Sequence, residues 1–309
     1  MRRRLRIATR RSPLALWQAH HVKTQLEAAH AGLEVELLPL TTAGDRLRDR
    51  PLATAGGKGL FIKELELALE SGQAELAVHS MKDVPWRLPN GLVIGAVLAR
   101  ADPRDAFISL NYPNLRALPE RATLGTSSQR RAALVRAARP DLEISALRGN
   151  VETRLARLDQ ARCDGILLAV AGLARLGLES RITEHLDPAV FVPAVGQGVI
   201  GVECQHDSQA REMIQALEHA ATRSCLEAER AFAEALSASC TSPIAAHARL
   251  DGGQLAISGF VGAPDGQRVY RAELSGPRDA PHALGRALAE HIQAAGASAL
   301  LAELAAAGA

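Results

Sequence analysis

Aromatic residues are scarce: nine in a chain of 309. Proteins that hold single-stranded nucleic acid stack bases on aromatic side chains, so that class of function is poorly served. An excess of charge of one sign is also missing. The formal net charge is +2, and nothing global draws the chain to a polyanion or a membrane surface. No apolar run reaches the roughly 18 residues that a membrane span needs. The start, Met-Arg-Arg-Arg-Leu-Arg, lacks the apolar stretch of a secretory signal, because Thr9, Arg10, Arg11 and Ser12 interrupt it. A cytoplasmic protein is expected, without nucleic-acid or membrane partners. Cysteines are few and far apart, at 163, 204, 225 and 240, with no CxxC or Cys/His ligand spacing. No metal site is expected, and disulfides are disfavoured in the cytosol. Lysine is nearly absent: four residues against 32 arginines.

Against that background one segment stands out, His79-Ser80-Met81-Lys82-Asp83-Val84-Pro85. The apolar run Leu76-Ala77-Val78 precedes it and a proline ends it, which reads as a buried strand delivering a lysine and a carboxylate to its end. In α/β proteins strand carboxyl ends are where ligands bind. A Lys–Asp pair there can hold an anion and answer a developing positive charge. The competing reading is an ordinary surface ion pair.

The pattern along the chain is α/β. Residues 5–9 predict a strand, Ser12-Pro13 a helix start for a helix to about residue 30, and residues 34–42 a second strand. Residues 43–58 lack periodicity and end in Gly56-Gly57-Lys58-Gly59, as a mobile functional loop would. A helix at about 60–71 and the 76–78 strand complete a βαβαβ order, hence a parallel sheet. Residues 99–104 mark a crossing to a second unit, with strands at 123–126, 142–146 and 165–170 and helices at 128–139 and 150–161. The strand at 199–204, after Pro193-Ala-Val-Gly-Gln-Gly198, has no place in that unit and reads as a return to the first. The expected architecture is two hinged lobes, 1–99 plus 199–220 and an arginine-rich 104–193, followed by a small α+β domain at 221–309. In that last domain a helix spans 222–236 and strands span 243–250, 254–262 and 268–275. Helices at about 280–294 and 297–306 close it.

Residues 121–181 carry eleven arginines against six acidic residues. Arg130 and Arg131 follow Gly125-Thr126-Ser127-Ser128 at a helix start, where anions are favoured. Arg148, Arg154 and Arg175 also lie near strand ends and helix starts. Guanidinium forks suit carboxylates and phosphates. Arg136, Arg139, Arg157 and Arg162 fit a solvated basic face instead. The Gly56–Gly59 segment is not a P-loop, since Gly59 stands where the magnesium-binding hydroxyl should be, and no GxGxxG follows the first strand. Cys225 lies on the apolar face of a helix with Ala228, Phe232 and Leu236 and reads as core, as do Cys163 and Cys204. Cys240 differs: the small-residue loop Ser237-Ala-Ser-Cys-Thr-Ser-Pro243 leaves its sulfur accessible, as a covalent attachment needs, and the competing reading is an inert loop cysteine.

The runs LRIATRRSPLALWQA (5–19), GGKGLFIKELE (56–66), AVHSMKDVP (77–85), DPRDAFIS (102–109), GTSSQRR (125–131), LRGNVETRL (147–155), LAVAGLARLGL (168–178), PAVGQG (193–198) and SCTSPI (239–244) occur in order over some 240 residues. Together they resemble the porphobilinogen deaminase (hydroxymethylbilane synthase) family. The resemblance implies two lobes like those of periplasmic binding proteins with a small C-terminal domain. It implies a transferase of tetrapyrrole biosynthesis, a monomer, that joins four porphobilinogen units head to tail with release of ammonia. The linear hydroxymethylbilane is then hydrolysed from a dipyrromethane cofactor. It further implies a thioether from that cofactor to Cys240, catalysis by Asp83, and a lid around Lys58. Cofactor binding is implied for Lys82, Ser12, Thr126, Ser128, Arg130, Arg131, Arg148 and Arg154. Substrate binding is implied for Arg10, Arg148, Arg154 and Arg175. Here Ala238 and Ser239 replace the family's usual glycines before the cysteine, and Thr54 replaces a frequent lid lysine.

Physical chemistry agrees with those roles. Each pyrrole carries an acetate and a propionate, and arginines hold carboxylates at roughly 1.5–3 kcal/mol per charge-assisted bond. Loss of ammonia leaves a cationic azafulvene, which a fixed carboxylate stabilises. The alternatives are a non-catalytic bilobed anion-binding protein and a nucleic-acid binder using the arginine-rich lobe.

Overall fold

The computed structural model describes residues 3–46, 61–237 and 242–307. Strands β1 (Arg3–Arg10) and β2 (Leu33–Leu40) flank helix α1 (Pro13–Ala29), whose start is set by Pro13 and by Ser12, the Oγ of which accepts the Ala15 N–H. A short α2 (Ala43–Arg46), α3 (Lys63–Glu70), β3 (Leu76–Ser80) and β4 (Leu92–Val97) follow. After a crossing come β5 (Asp105–Ile108), β6 (Thr123–Gly125), α4 (Gln129–Ala138), β7 (Glu143–Ser145), α5 (Val151–Asp159), β8 (Gly165–Ala169), α6 (Val170–Arg175) and β9 (Glu184–His185). The chain crosses again to β10 (Ile200–Gln205) and α7 (Gln209–Ile214). It ends in α8 (Ala220–Ala235), β11 (Ile244–Asp251), β12 (Gln254–Gly262), β13 (Val269–Pro277), α9 (Pro281–Ile292) and α10 (Ser298–Ala307).

Two five-stranded sheets share one plan. Their orders are β2-β1-β3-β10-β4 and β7-β6-β8-β5-β9. In each, the second strand pairs in parallel with both neighbours, and the fourth pairs antiparallel with the third and fifth. The fourth strand, β10 or β5, is the one laid down immediately after a crossing. The three strands of the predicted βαβαβ order are parallel, but β10 runs antiparallel to β3 and β4 and makes the first sheet mixed. Ile200 pairs with Ser80, so β10 begins where β3 ends and has to run back along it. Strands β4, β5 and β9 give too little periodicity in the sequence to be predicted.

The third sheet, β11-β12-β13, is an antiparallel meander covered by α8 and α9. Its Phe260 and Ala245 enter the core of the second sheet beside Phe107 and Leu134. Cys163, Cys204 and Cys225 are buried, as their apolar neighbours imply.

The two crossings run side by side. The Ala101 N–H donates to the Gly198 carbonyl at 3.1 Å. Gly198 has φ +85°, and a Cβ there would lie 2.5 Å from the Ala101 oxygen, so no other residue fits. Gly196, at φ +70°, would place a Cβ 2.9 Å from Met81 Cβ. Glu229 of α8 fastens this region to the third sheet. It takes a bidentate pair from Arg100 at 2.7 and 2.9 Å, the Gly196 N–H at 2.8 Å and the Ala248 N–H at 2.7 Å.

Candidate active site

Strand β3 ends in a single 3₁₀ turn, Met81–Asp83. Met81 is the buried anchor of that turn, packed with Val84, Val97, Val199 and Leu226. Lys82 and Asp83 are thereby turned toward the second lobe and are half-buried. The Asp83 carboxylate has no hydrogen bond or ion pair with any described residue, yet its charge acts on Lys82 and Arg154. Burial pulls the Lys82 ammonium down to about 8. Asp83 opposes this, Arg131 adds to it, Asp105 opposes it and Arg130 adds to it. Burial likewise brings Arg154 down to about 10, with Arg131 lowering it, Asp83 raising it, and Arg148 and Arg157 lowering it.

The second lobe supplies the arginines at helix starts. Ser128 caps α4 by accepting the Arg131 N–H, and Thr126 Oγ1 accepts the Ser128 N–H at 3.2 Å. Asn150 caps α5, and Arg154 Nε donates to the Gly149 carbonyl at 2.9 Å. Arg148 has no protein partner among the described residues. Arg175 Nη2 donates to the Gly198 carbonyl at 2.7 Å, its guanidinium stands 5.8 Å from the centre of the Trp17 ring, and burial lowers it to about 10.

Three predicted anion binders are already engaged. Arg130 and Arg131, only 4% and 5% exposed, both clamp the fully buried Asp105. Burial works against ionisation of Asp105, but the two guanidiniums overrule it and hold the carboxyl well below the usual range. Arg130 also donates to the Val192 carbonyl and Arg131 to the Leu167 carbonyl. Arg10 pairs with Asp45 and lies 4.4 Å from the Phe61 ring centre. Conversely, Arg136 and Arg139 are not a solvated face. Arg136 donates to the Pro264 carbonyl, and Arg139 to the carbonyls of Leu115, Arg116 and Leu118 as well as to Asp141. Lys58, Cys240 and most of the 43–58 segment lie outside the described residues.

Beside this turn is a cavity of about 470 Å³. Its polar wall includes Lys82, Ser128 and Arg130, and Ser242, two positions past Cys240, borders it. Val84, Pro85, Leu88, Val195 and Ile244 supply apolar wall. Such a mixture suits a flat carboxylated ring. The dipyrromethane cofactor fits this donor set: cations and a helix-start hydroxyl for its carboxylates, apolar surface for its pyrroles.

Two cavity residues, Glu66 and Arg230, escape sequence reasoning. Glu66 lies in the KELE run and is pushed up to about 7 by burial and by Glu203; His79 opposes this, Glu70 adds to it and Lys63 opposes it. Arg230 sits mid-helix in α8, where nothing in the sequence separates it from an ordinary surface arginine.

Residues 5–213 match the family model "Porphobilinogen deaminase, dipyromethane cofactor binding domain", and residues 223–294 match "Porphobilinogen deaminase, C-terminal domain". The chain belongs to the porphobilinogen deaminase family. Curated porphobilinogen deaminases from two strains of Xanthomonas campestris pv. campestris are 53% identical over 301 residues, covering 97% of this chain and 99% of each relative. Among solved structures, similarity extends to a putative methionine-binding lipoprotein of Bacillus subtilis (14% identity, TM-score 0.44), over 70% of this chain and 91% of that one. The methionine-binding protein MetQ is also similar (15% identity, TM-score 0.42), over 69% of this chain and 88% of that one. As a porphobilinogen deaminase the chain is a transferase of tetrapyrrole biosynthesis with a dipyrromethane cofactor. Among the described residues, no helix is long and apolar enough to cross a membrane and no cluster suits a metal ion.

Proposed function

We propose that this chain polymerises porphobilinogen on a primer tethered through Cys240, with Asp83 as its catalytic carboxylate. The observation that carries the reading is the state of Asp83: a carboxylate at a strand end, without a hydrogen bond or ion pair to any described residue, whose charge acts on Lys82 of its own lobe and Arg154 of the other. When bound, the dipyrromethane supplies the pyrrole to which substrate units are added. The remaining tasks fall to side chains. Asp83 stabilises positive charge as ammonia leaves the substrate, and it accepts hydrogen bonds from pyrrole N–H groups. Lys82, Ser12, Thr126, Ser128, Arg130, Arg131, Arg148 and Arg154 bind cofactor carboxylates. Because Asp105 neutralises only part of the Arg130–Arg131 charge, that pair retains attraction for an anion. Arg10, Arg148, Arg154 and Arg175 receive the substrate and the lengthening chain, and Lys58 belongs to a lid. Tethering keeps the growing end in place and makes each addition effectively intramolecular.

The lobes are assigned to 1–99 with 199–220 and to 104–193, and the third domain to 221–309. Support comes from the two crossings and the matched sheet plans. The enzyme works as a cytoplasmic monomer, without nucleic-acid or membrane partners.

Intact mass tests the tether. The wild-type chain should weigh its sequence plus a dipyrromethane and convert porphobilinogen to hydroxymethylbilane. Cys240→Ser should weigh only its sequence, because a serine hydroxyl is a far poorer nucleophile than a thiolate at neutral pH. Cys225→Ser should keep the added mass. A stably loaded Cys240→Ser chain would sink the assignment.

A further inference from the structure

Arg230 enters the cavity from α8, the helix that leads to the Cys240 segment. Its Nη2 donates to the Pro85 and Trp86 carbonyls at 2.9 and 2.8 Å, and its Nη1 reaches the Val84 carbonyl at 3.4 Å. These are the residues directly after Asp83. No carboxylate forms an ion pair with it among the described residues. Arg130, the neighbouring cavity arginine, has Asp105 as its counter-ion. A guanidinium offers five N–H donors, and three carbonyls leave donors over. Other charges on the same wall are Lys82, Arg87 and Glu66. With Glu66 pushed up to about 7, the wall as a whole favours an anion. Arg230 is half-buried, and burial lowers it to about 10, with Glu234 raising it, Arg223 lowering it and Glu203 raising it. A partly desolvated cation with no direct ion pair among the described residues gains from a ligand carboxylate.

We propose that Arg230 is a carboxylate-binding residue of the third domain, taking an acetate or propionate of a pyrrole in this cavity while its other donors hold the Val84–Trp86 backbone behind Asp83. One side chain would then join the tethered end of the chain to the turn that carries the catalytic acid. This rests on the deaminase reading.

The test separates charge from carbonyl bonding. Arg230→Lys keeps the charge but loses the fork. Arg230→Gln keeps N–H donors for the carbonyls but loses the charge. Each is purified, checked by thermal melting and weighed intact for its dipyrromethane, and its KM and kcat for porphobilinogen are measured. Arg230→Gln should be poorly loaded, and its loaded fraction should show KM raised about tenfold, one charge-assisted bond's worth. Arg230→Lys should be loaded and keep most of the affinity. If Arg230→Gln is loaded with an unchanged KM, or if Arg230→Lys is as impaired as Arg230→Gln or worse, the proposal is overturned and the arginine serves the backbone alone. A wild-type chain without pyrrole mass or turnover would instead overturn the deaminase reading.

Discussion

The two lobes use the same pair of ions in opposite ways. In the second lobe Asp105 lies at the start of β5, fully buried, and two arginines and Gln197 converge on it. In the first lobe Asp83 lies in the turn after β3, partly exposed, and no described residue hydrogen-bonds or ion-pairs with it. A fully buried carboxylate already paired with two guanidiniums is out of a substrate's reach, and its role is to hold α4 to β5. A carboxylate held near cations without contacting them retains its capacity for a transient charge. On the proposed reading, equivalent sheets thus carry one acid for architecture and one for chemistry, and the hydrogen-bond count among the described residues tells them apart.

The largest effect should come from breaking the architectural acid. Asp105→Ala leaves two buried guanidiniums without their anion, and removing one partner of a buried pair costs about 3–5 kcal/mol. Chemical unfolding should show a loss of that size or no folded protein. A variant as stable as wild type would refute the structural role.

Asp83→Asn should produce the reverse. Its stability should stay within about 0.5 kcal/mol of wild type, as for substitutions away from saturated buried networks. Turnover should fall on the order of a hundredfold, since an electrostatic contact to developing charge is typically worth about 3 kcal/mol. Binding should survive, so partly elongated chains should accumulate as a ladder in the intact mass. Asp83→Glu should do less harm. Near-normal turnover in Asp83→Asn would make this carboxylate structural as well.

A smaller effect should sort the arginines. Arg154→Leu removes a cation that feels Asp83, and Arg148→Leu one that acts on Arg154. Each should stall elongation, losing about 1.5–3 kcal/mol of binding. Arg162→Leu, on the exposed surface after α5, should change little. Equal losses at all three would mean a generic basic face.

Much of this was legible before the structure. The strand ending in Met81-Lys82-Asp83, the caps at Ser12 and Ser128, and the order of the motifs follow from local chemistry. Which arginines are free does not. Arg130 and Arg148 look alike in sequence, and only the folded chain brings Asp105, from 25 residues upstream, onto Arg130 and gives Arg148 no partner among the described residues. The antiparallel β10 was hidden for a similar reason, because strand direction depends on where the second crossing enters. Arg230 and Glu66 were missed because each lies in an ordinary-looking helix, and their meaning comes from the cavity wall they share.

The smallest effect concerns pH. The Glu66 carboxyl, pushed up to about 7 chiefly by burial and next by Glu203, holds its proton more tightly in the folded chain than in the unfolded one, where glutamate ionises near about 4.3. Its contribution to stability is therefore complete below the unfolded value and is lost as pH rises through about 7. Glu66→Gln cannot ionise and lacks that slope. The variant should thus gain on wild type in thermal melting as pH is raised from about 5 to about 8. The other charges facing the site, His79, Glu203, Glu70, Lys63 and Arg230, remain in both chains and largely cancel in the difference. A gap between the two melting curves that stays constant over this range would mean that Glu66 ionises like a surface carboxylate. The first lobe's cavity wall would then carry a negative charge against Lys82 and Arg87 at neutral pH, and the contrast between a pairing lobe and a receptive one would narrow to Asp83 alone.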